Sequence, residues 1–164
     1  MLKAVDRTIT PWLFVTIHTP LYNPFDWHTQ DYQMLLSRKV LEPLLVNYQV
    51  NVVFSGHLHA YMRTHPVIDG VRDKKGPIYI CTGTGGHAAD LDFASEIPEE
   101  WVSVRDSTFY GYGTIDIFNQ THARWQWMHS CIKDDRQFNG VHHMNISLPS
   151  ADEEDVYIQN QYYI

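Results

Sequence analysis

Apolar positions along this chain fall into short runs broken by Pro, Gly and Asn, with one longer stretch in which they recur at helical spacing. Residues 11–17 (Pro-Trp-Leu-Phe-Val-Thr-Ile) are largely apolar, with β-branched and aromatic members. That is the pattern of a strand buried on both faces. Residues 19–28 read as a loop, marked by Pro20, Asn23 and Pro24. Thr29 can cap a helix, and Asp31 in its first turn suits the positive end of the helix dipole. Tyr32, Leu35, Leu36, Val40, Leu44 and Leu45 keep helical spacing, which predicts one face packed on a sheet. Pro43 predicts a kink or a fresh start. The helix should end near Tyr48, and residues 50–55 form the next strand, closed by Gly56, which lets the backbone turn sharply. Strand, loop, helix and strand make one βαβ unit, expected parallel and right-handed.

Further on, residues 59–67 suit a loop running into a short strand, and residues 68–71 a turn. Residues 77–82 are a third apolar strand, ending in Gly83-Thr84-Gly85-Gly86. That glycine spacing matches neither the dinucleotide fingerprint nor the P-loop, so a plain tight loop is expected. Residues 87–107 read as a polar surface loop. Residues 109–118 and 121–128 alternate and suit an antiparallel pair joined at Asn119-Gln120. Past residue 131 the signal fades, and Asp152-Glu153-Glu154-Asp155 with Gln159-Asn160-Gln161 predict a solvated tail. The expected division is a domain over residues 1–135 and a polar tail over 136–164. The class is α/β, and no internal repeat is evident.

Composition narrows the function. The chain has 164 residues, enough for one domain with a sizeable core, and is 44% hydrophobic and 19% charged, a globular balance. A net charge of -7 argues against a broad nucleic-acid surface. The densest basic stretch, Arg72-Asp73-Lys74-Lys75, is short and broken by an acid, and reads as a solvated loop. No apolar run approaches the roughly 20 residues that cross a bilayer, and residues 1–7 carry no signal-peptide core. Neither nucleic acid nor membrane is therefore expected as a partner. Cys81 and Cys131 could form one disulfide, but two thiols do not define a redox compartment. Asn119 and Asn145 head glycosylation triplets, which matter only in a secreted chain.

The histidines carry the chemistry. His18 follows the first strand, and Gly56-His57-Leu58-His59 follows the second. Two histidines two residues apart, with another at a strand end one βαβ unit earlier, let three imidazoles reach one centre. Imidazole suits zinc, copper, iron and nickel. His28, in the loop, is a candidate for catalysis or phosphate contact. His65, His87, His122, His129, His142 and His143 have no spacing that singles them out.

These residues resemble a known family. Val15-x-x-His18 and Gly56-His57-Leu58-His59 resemble two of the five blocks of the metallophosphatase (calcineurin-like phosphoesterase) superfamily. The stretches His18-Thr19-Pro20-Leu21-Tyr22-Asn23 and Gly56-His57-Leu58-His59-Ala60-Tyr61-Met62-Arg63-Thr64, with His28 between them, are similar to purple acid phosphatases. So are the segments Ser107-Thr108-Phe109-Tyr110-Gly111-Tyr112-Gly113 and Asn119-Gln120-Thr121-His122-Ala123-Arg124-Trp125-Gln126-Trp127. The likeness covers about residues 11–130 and implies a two-sheet β-sandwich flanked by helices. It implies a binuclear centre of Fe(III) plus zinc, manganese or iron(II), hydrolysing phosphate monoesters through a metal-activated hydroxide. On that resemblance His18 and His57 bind the divalent metal, His59 the ferric ion, and His28 contacts the phosphate and helps protonate the leaving oxygen. Where plant enzymes of the family often carry two adjacent histidines, this chain has Trp27-His28.

The family's first three blocks take the forms Gly-Asp-x-Gly, Gly-Asp-x-x-Tyr and Gly-Asn-His, and this chain has neither a Gly-Asp nor a Gly-Asn dipeptide. The likeness is therefore to the C-terminal half of the catalytic domain. The implied partners are a phosphomonoester and the missing N-terminal half, and an exposed apolar sheet edge would favour homo-oligomers. A secreted or vacuolar/lysosomal location follows from the family. Little turnover is expected of the chain alone. The alternatives are another metallophosphoesterase, such as a phosphodiesterase, and a truncated, non-catalytic metal-binding module.

Overall fold

The computed structural model describes residues 2–29, 31–86, 91–129, 154–160 and 162. The expected apolar runs do form strands: β1 (Phe14–Thr16), β2 (Val52–Ser55), β6 (Ile78–Thr82), β8 (Gly111–Ile117) and β9 (His122–His129). Between β1 and β2 lies the helix α1 (Tyr32–Asn47). β1 pairs parallel with β2, and β2 pairs parallel with β6, as the βαβ reading requires.

Three further strands come from stretches whose composition marked them only in part or not at all. β3 (Tyr61–Thr64), read from the sequence as a loop running into a short strand, has all four residues buried. It pairs antiparallel with β6 on one side and with β7 (Val102–Asp106) on the other. β7 itself lies inside the stretch expected to be a surface loop. The mixed sheet thus runs β1-β2-β6-β3-β7. A two-residue pair, β4 (Val67–Ile68) and β5 (Val71–Arg72), closes around the predicted turn. The third, β10 (Glu154–Gln159), corrects the expectation of a solvated tail there: it pairs antiparallel with β9, making a second sheet β10-β9-β8. Val156 and Ile158 pack inward, and buried Asn160 exchanges hydrogen bonds with Asn51, Pro11 and Gln120. Its acids and amides hid an alternating apolar pair.

The two faces of the five-stranded sheet follow from residue alternation. Val52, Tyr61, Ile78 and Ile80 face the second sheet, where they meet Trp12, Ala123, Trp125, Trp127 and Ile158. Val53, Met62, Tyr79 and Cys81 face the other way, toward Leu45 of α1 and toward Leu21, Tyr22 and Phe25 of the loop after β1. The class is α/β: two packed sheets with a helix on one outer face. Gly113 is required where the second sheet meets these aromatic rings. A Cβ there would lie 2.0 Å from the Trp125 ring.

The helix departs from its expected orientation. Its buried residues are Met34, Glu42 and Leu45. Tyr32, Leu35, Leu36, Val40 and Leu44, assigned from the sequence to the packed face, are instead exposed, at 43–74% of their full area. Apolar residues occupy two faces of α1, so periodicity alone could not choose between them. Glu42 sits inward because it has partners. It accepts from Tyr22 Oη at 2.5 Å and from Tyr79 Oη at 3.3 Å, and Arg38 lies beside it. Pro43 lies within a continuous helix, neither breaking it nor starting a new one.

Candidate metal centre

In a sheet of parallel strands the carboxyl ends of neighbouring strands form one edge, and side chains in the following loops converge there. β1, β2 and β6 end at that edge, and antiparallel β3 begins there. The loops carrying His18, His57, His59 and Gly83 are therefore neighbours.

His57 sits at the centre of a three-residue turn closed by Leu58 N–H donating to Gly56 O at 2.8 Å, with its own φ at 66°. A positive φ at a residue bearing a Cβ is strained and persists only when its surroundings enforce it. This corrects the expectation that Gly56 supplies the sharp bend. The only glycine with positive φ among the described residues is Gly70, and a Cβ on Gly56 would meet nothing within 4 Å. What enforces the turn is packing from β6. Cys81 Sγ lies 3.1 Å from Gly56 O and 3.7 Å from Leu58 O. Gly83 approaches so closely that a Cβ on it would stand 1.7 Å from Leu58 O. The glycine-rich loop thus braces the histidine turn.

His28 is held in a similar way. Its φ is also 66°, and Asp31 N–H donates to its carbonyl at 3.1 Å. Asn23 ties the loop by accepting from Phe25 N–H and donating to Trp27 O at 2.7 Å. Phe25, fully buried, anchors it to the core. The His28 ring Nδ1 lies 2.5 Å from Asp31 Oδ2. Asp31 is the N-cap residue of α1, but its side chain makes no capping hydrogen bond; the carboxylate serves the imidazole instead. Thr29, the expected cap, donates to Asp26 O.

The rings meet at His57. His57 Nδ1 lies 3.2 Å from His18 Nε2. Ring centroids are 5.0 Å apart for His18 and His57 and 4.7 Å for His28 and His57. His28, Asp31 and His57 each present a ligand atom, all within 4.8 Å of one another. Partial burial lowers the His57 pKa below the ordinary histidine value, and neighbouring His28 and His18 push the same way against the Asp31 carboxylate. That shift favours the neutral imidazole, the form that binds metals. His59 stands beside Trp27, with ring centroids 6.1 Å apart.

Of the four histidines named from the sequence, the structure brings the rings of His18, His28 and His57 together, with His59 beside Trp27; Asp31 and Gly83 were not named. The spacing of Asp31 three residues after His28, just ahead of a helix, was the available signal. His65 follows the end of β3, and His122 is the first residue of β9. His87, His142, His143, Cys131 and Asn145 lie outside the described residues. Asn119 is exposed, and its Oδ1 accepts from Thr121 and His122.

Residues 76–139 match the family model described as iron/zinc purple acid phosphatase-like protein C. The chain is 36% identical over 126 residues to "Probable purple acid phosphatase 20" of Arabidopsis thaliana, covering 77% of this chain and 30% of that protein. It is 31% identical over 173 residues to "Purple acid phosphatase 1" of Ipomoea batatas, covering 99% of this chain and 33% of that one. The chain thus spans a third or less of the length of these curated relatives. Its fold matches the purple acid phosphatase PPD1 of yellow lupin (Lupinus luteus) at a TM-score of 0.69 and 26% identity, over 78% of this chain and 24% of that one.

Proposed function

Since the chain is related to the purple acid phosphatases and matches the C-terminal part of them, we propose that it is the C-terminal portion of a metal-dependent acid phosphatase acting on phosphate monoesters. The observation that carries this reading is the meeting of His18, His28 and His57 at one sheet edge. The imidazole set fits zinc or iron. A bound metal pair would supply positive charge to the phosphoryl oxygens and a water acidic enough to act as hydroxide.

The chain's own residues take these roles. His18 and His57 hold the divalent ion, and His59 the ferric ion. His28, steadied by Asp31, contacts the phosphate and gives its proton to the leaving oxygen. No carboxylate free to bridge two cations is seen among the described residues. Among the described residues Asp31 is the one acid in the cluster, and His28 engages it.

That gap, and two surfaces, favour a chain that works with more polypeptide than it contains. Among the described residues β1 has a neighbour on one side only, and α1 exposes Tyr32, Leu36, Val40 and Leu44. We assign this face to the preceding half of the catalytic domain, with self-association into homo-oligomers when that half is absent. A secreted or vacuolar setting follows from the same family reading. The test is hydrolysis of p-nitrophenyl phosphate at acid pH, by the pure chain and by a polypeptide that adds the preceding half. Turnover only in the longer form supports the reading. Efficient turnover by the 164-residue chain would overturn the two-half assignment, and none by the longer form would overturn the phosphatase reading. A parallel arm with a phosphodiester separates this from the phosphodiesterase alternative.

A further inference from the structure

The chain has five tryptophans, and the fold uses four of them as core. Trp12, Trp125 and Trp127 are buried where the two sheets meet, and Trp101 packs against the buried cluster on the other face. Trp27 differs: it keeps 47% of its area in the open. Its company sets it apart from the other exposed apolar side chains. Its ring centroid lies 3.9 Å from that of His28, with the planes 45° apart, and 6.1 Å from that of His59. An open indole thus stands beside the imidazole assigned to the phosphate.

The backbone that carries this ring is fixed on both sides. Asn23 Nδ2 donates to Trp27 O at 2.7 Å, and Asp31 N–H donates to His28 O at 3.1 Å. Asp26 N–H donates to Asp92 O at 2.9 Å, and Ala94 N–H to Pro24 O at 3.0 Å, so residues 92–94 clasp the loop just before Trp27. Phe25 is fully buried and anchors it to the core. A large ring with two χ angles on a held backbone offers contact area at little entropic cost.

Reach decides which phosphate esters gain from such a ring. In an aryl phosphate the aromatic group is bonded to the ester oxygen, beside the phosphoryl group that His28 contacts, and so comes up against Trp27. An alkyl ester offers no π face. In a nucleotide a sugar separates the base from the phosphate and carries it past this position. We propose that Trp27 is the specificity-determining residue of the site: its open face stacks on the leaving group of aryl phosphate monoesters and selects them over alkyl esters. This role rests on the phosphatase reading above, and it adds the class of leaving group. Trp27 acts on binding, not on the proton transfer given to His28. A ring that only steadied His28 would affect every substrate alike, because all present the same phosphoryl group to that imidazole.

The test measures kcat and KM for phenyl phosphate and ethyl phosphate at acid pH, using the polypeptide that adds the preceding half. Comparing each ester with itself across variants cancels the difference in leaving-group reactivity. Trp27→Ala should lower the phenyl-to-ethyl ratio of kcat/KM about 3- to 10-fold, with the change carried by KM, as for a contact made equally in ground and transition states. Trp27→Phe, which keeps a stacking ring, should hold the ratio within about twofold. Inhibition by phenylphosphonate and methylphosphonate, which resist hydrolysis, gives a second readout, and the preference for the phenyl compound should fall by the same factor in Trp27→Ala. Equal losses on both esters, or an unchanged ratio, would overturn the role of Trp27 and leave the phosphatase reading standing. So would a wild type that binds methylphosphonate as tightly as phenylphosphonate, a result that depends on no variant. No turnover of either ester by the wild-type longer polypeptide would remove the phosphatase reading and this role with it.

Discussion

Gly83→Ala is the most informative single change, because it tests whether the histidine turn is held from below. The added methyl would stand 1.7 Å from Leu58 O, and Cβ atoms essentially never come within 3.0 Å of a neighbour, so at least 1.3 Å of movement is forced. The atom it meets is backbone, in the turn that carries His57 and His59, and no side-chain rotation can relieve the clash. Gly83 N–H also donates to Ala60 O at 3.2 Å, and Cys81 packs on Gly56 O and Leu58 O, so the loops must separate together. Overpacking of this kind costs about 1–3 kcal/mol, and a chain of this size loses about 2–4 °C in Tm for each kcal/mol. A displacement above 1 Å would also spoil the spacing of His18 and His57, so cobalt or zinc affinity should fall at least 10-fold. The control is Gly85→Ala in the same loop, where a Cβ meets nothing within 4 Å; both readouts should stay at wild-type values. A Gly83→Ala chain with unchanged Tm and unchanged metal affinity would refute the bracing argument.

Other consequences follow from the same packing. Glu42→Leu leaves the Tyr22 and Tyr79 hydroxyls without their buried acceptor and should cost about 1–3 kcal/mol, read as a lower urea midpoint. Cys81 should resist alkylation at pH 8 until the chain unfolds, because burial pushes its thiol from 9.0 up to about 11. A raised folded pKa gives stability that is complete below the unfolded value and is lost as pH climbs. Urea midpoints should therefore fall between pH 9 and 11, and Cys81→Ala should flatten that part of the curve. Burial also raises Tyr22 and Tyr79, which extends the alkaline loss above pH 10. Leu36→Glu with Val40→Glu, on the exposed stripe of α1, should reduce self-association in sedimentation while leaving Tm nearly unchanged; a large Tm loss would show that the stripe is packed.

The parts of this fold that could be read in advance were those where one residue pattern allows one outcome. Residues 52–55 and 78–82 are nearly all apolar and could only be strands covered on both faces. β3 was obscured because Arg63 and Thr64 look like surface residues; in the fold Thr64 Oγ1 accepts from Tyr79 N–H and Arg63 is buried. β10 was obscured by its acids. The orientation of α1 was illegible because two of its faces are apolar, and the inward one depends on Glu42 finding two tyrosines more than 15 residues away in the chain. The site shows the same division. His18, His57 and His59 stood out through strand ends and short spacing, which are local. The contacts of Asp31 with His28 and of Gly83 with Leu58 depend on loops brought together by β1, β2 and β6, and only three-dimensional packing reveals them.

X-ray absorption on the chain loaded with one equivalent of zinc is the most direct measurement of whether these rings converge on an ion. The expected spectrum shows about three imidazole nitrogens at about 2.0–2.1 Å, with the outer-shell scattering that intact rings produce. A first shell of oxygens alone, without imidazole scattering, would contradict the account.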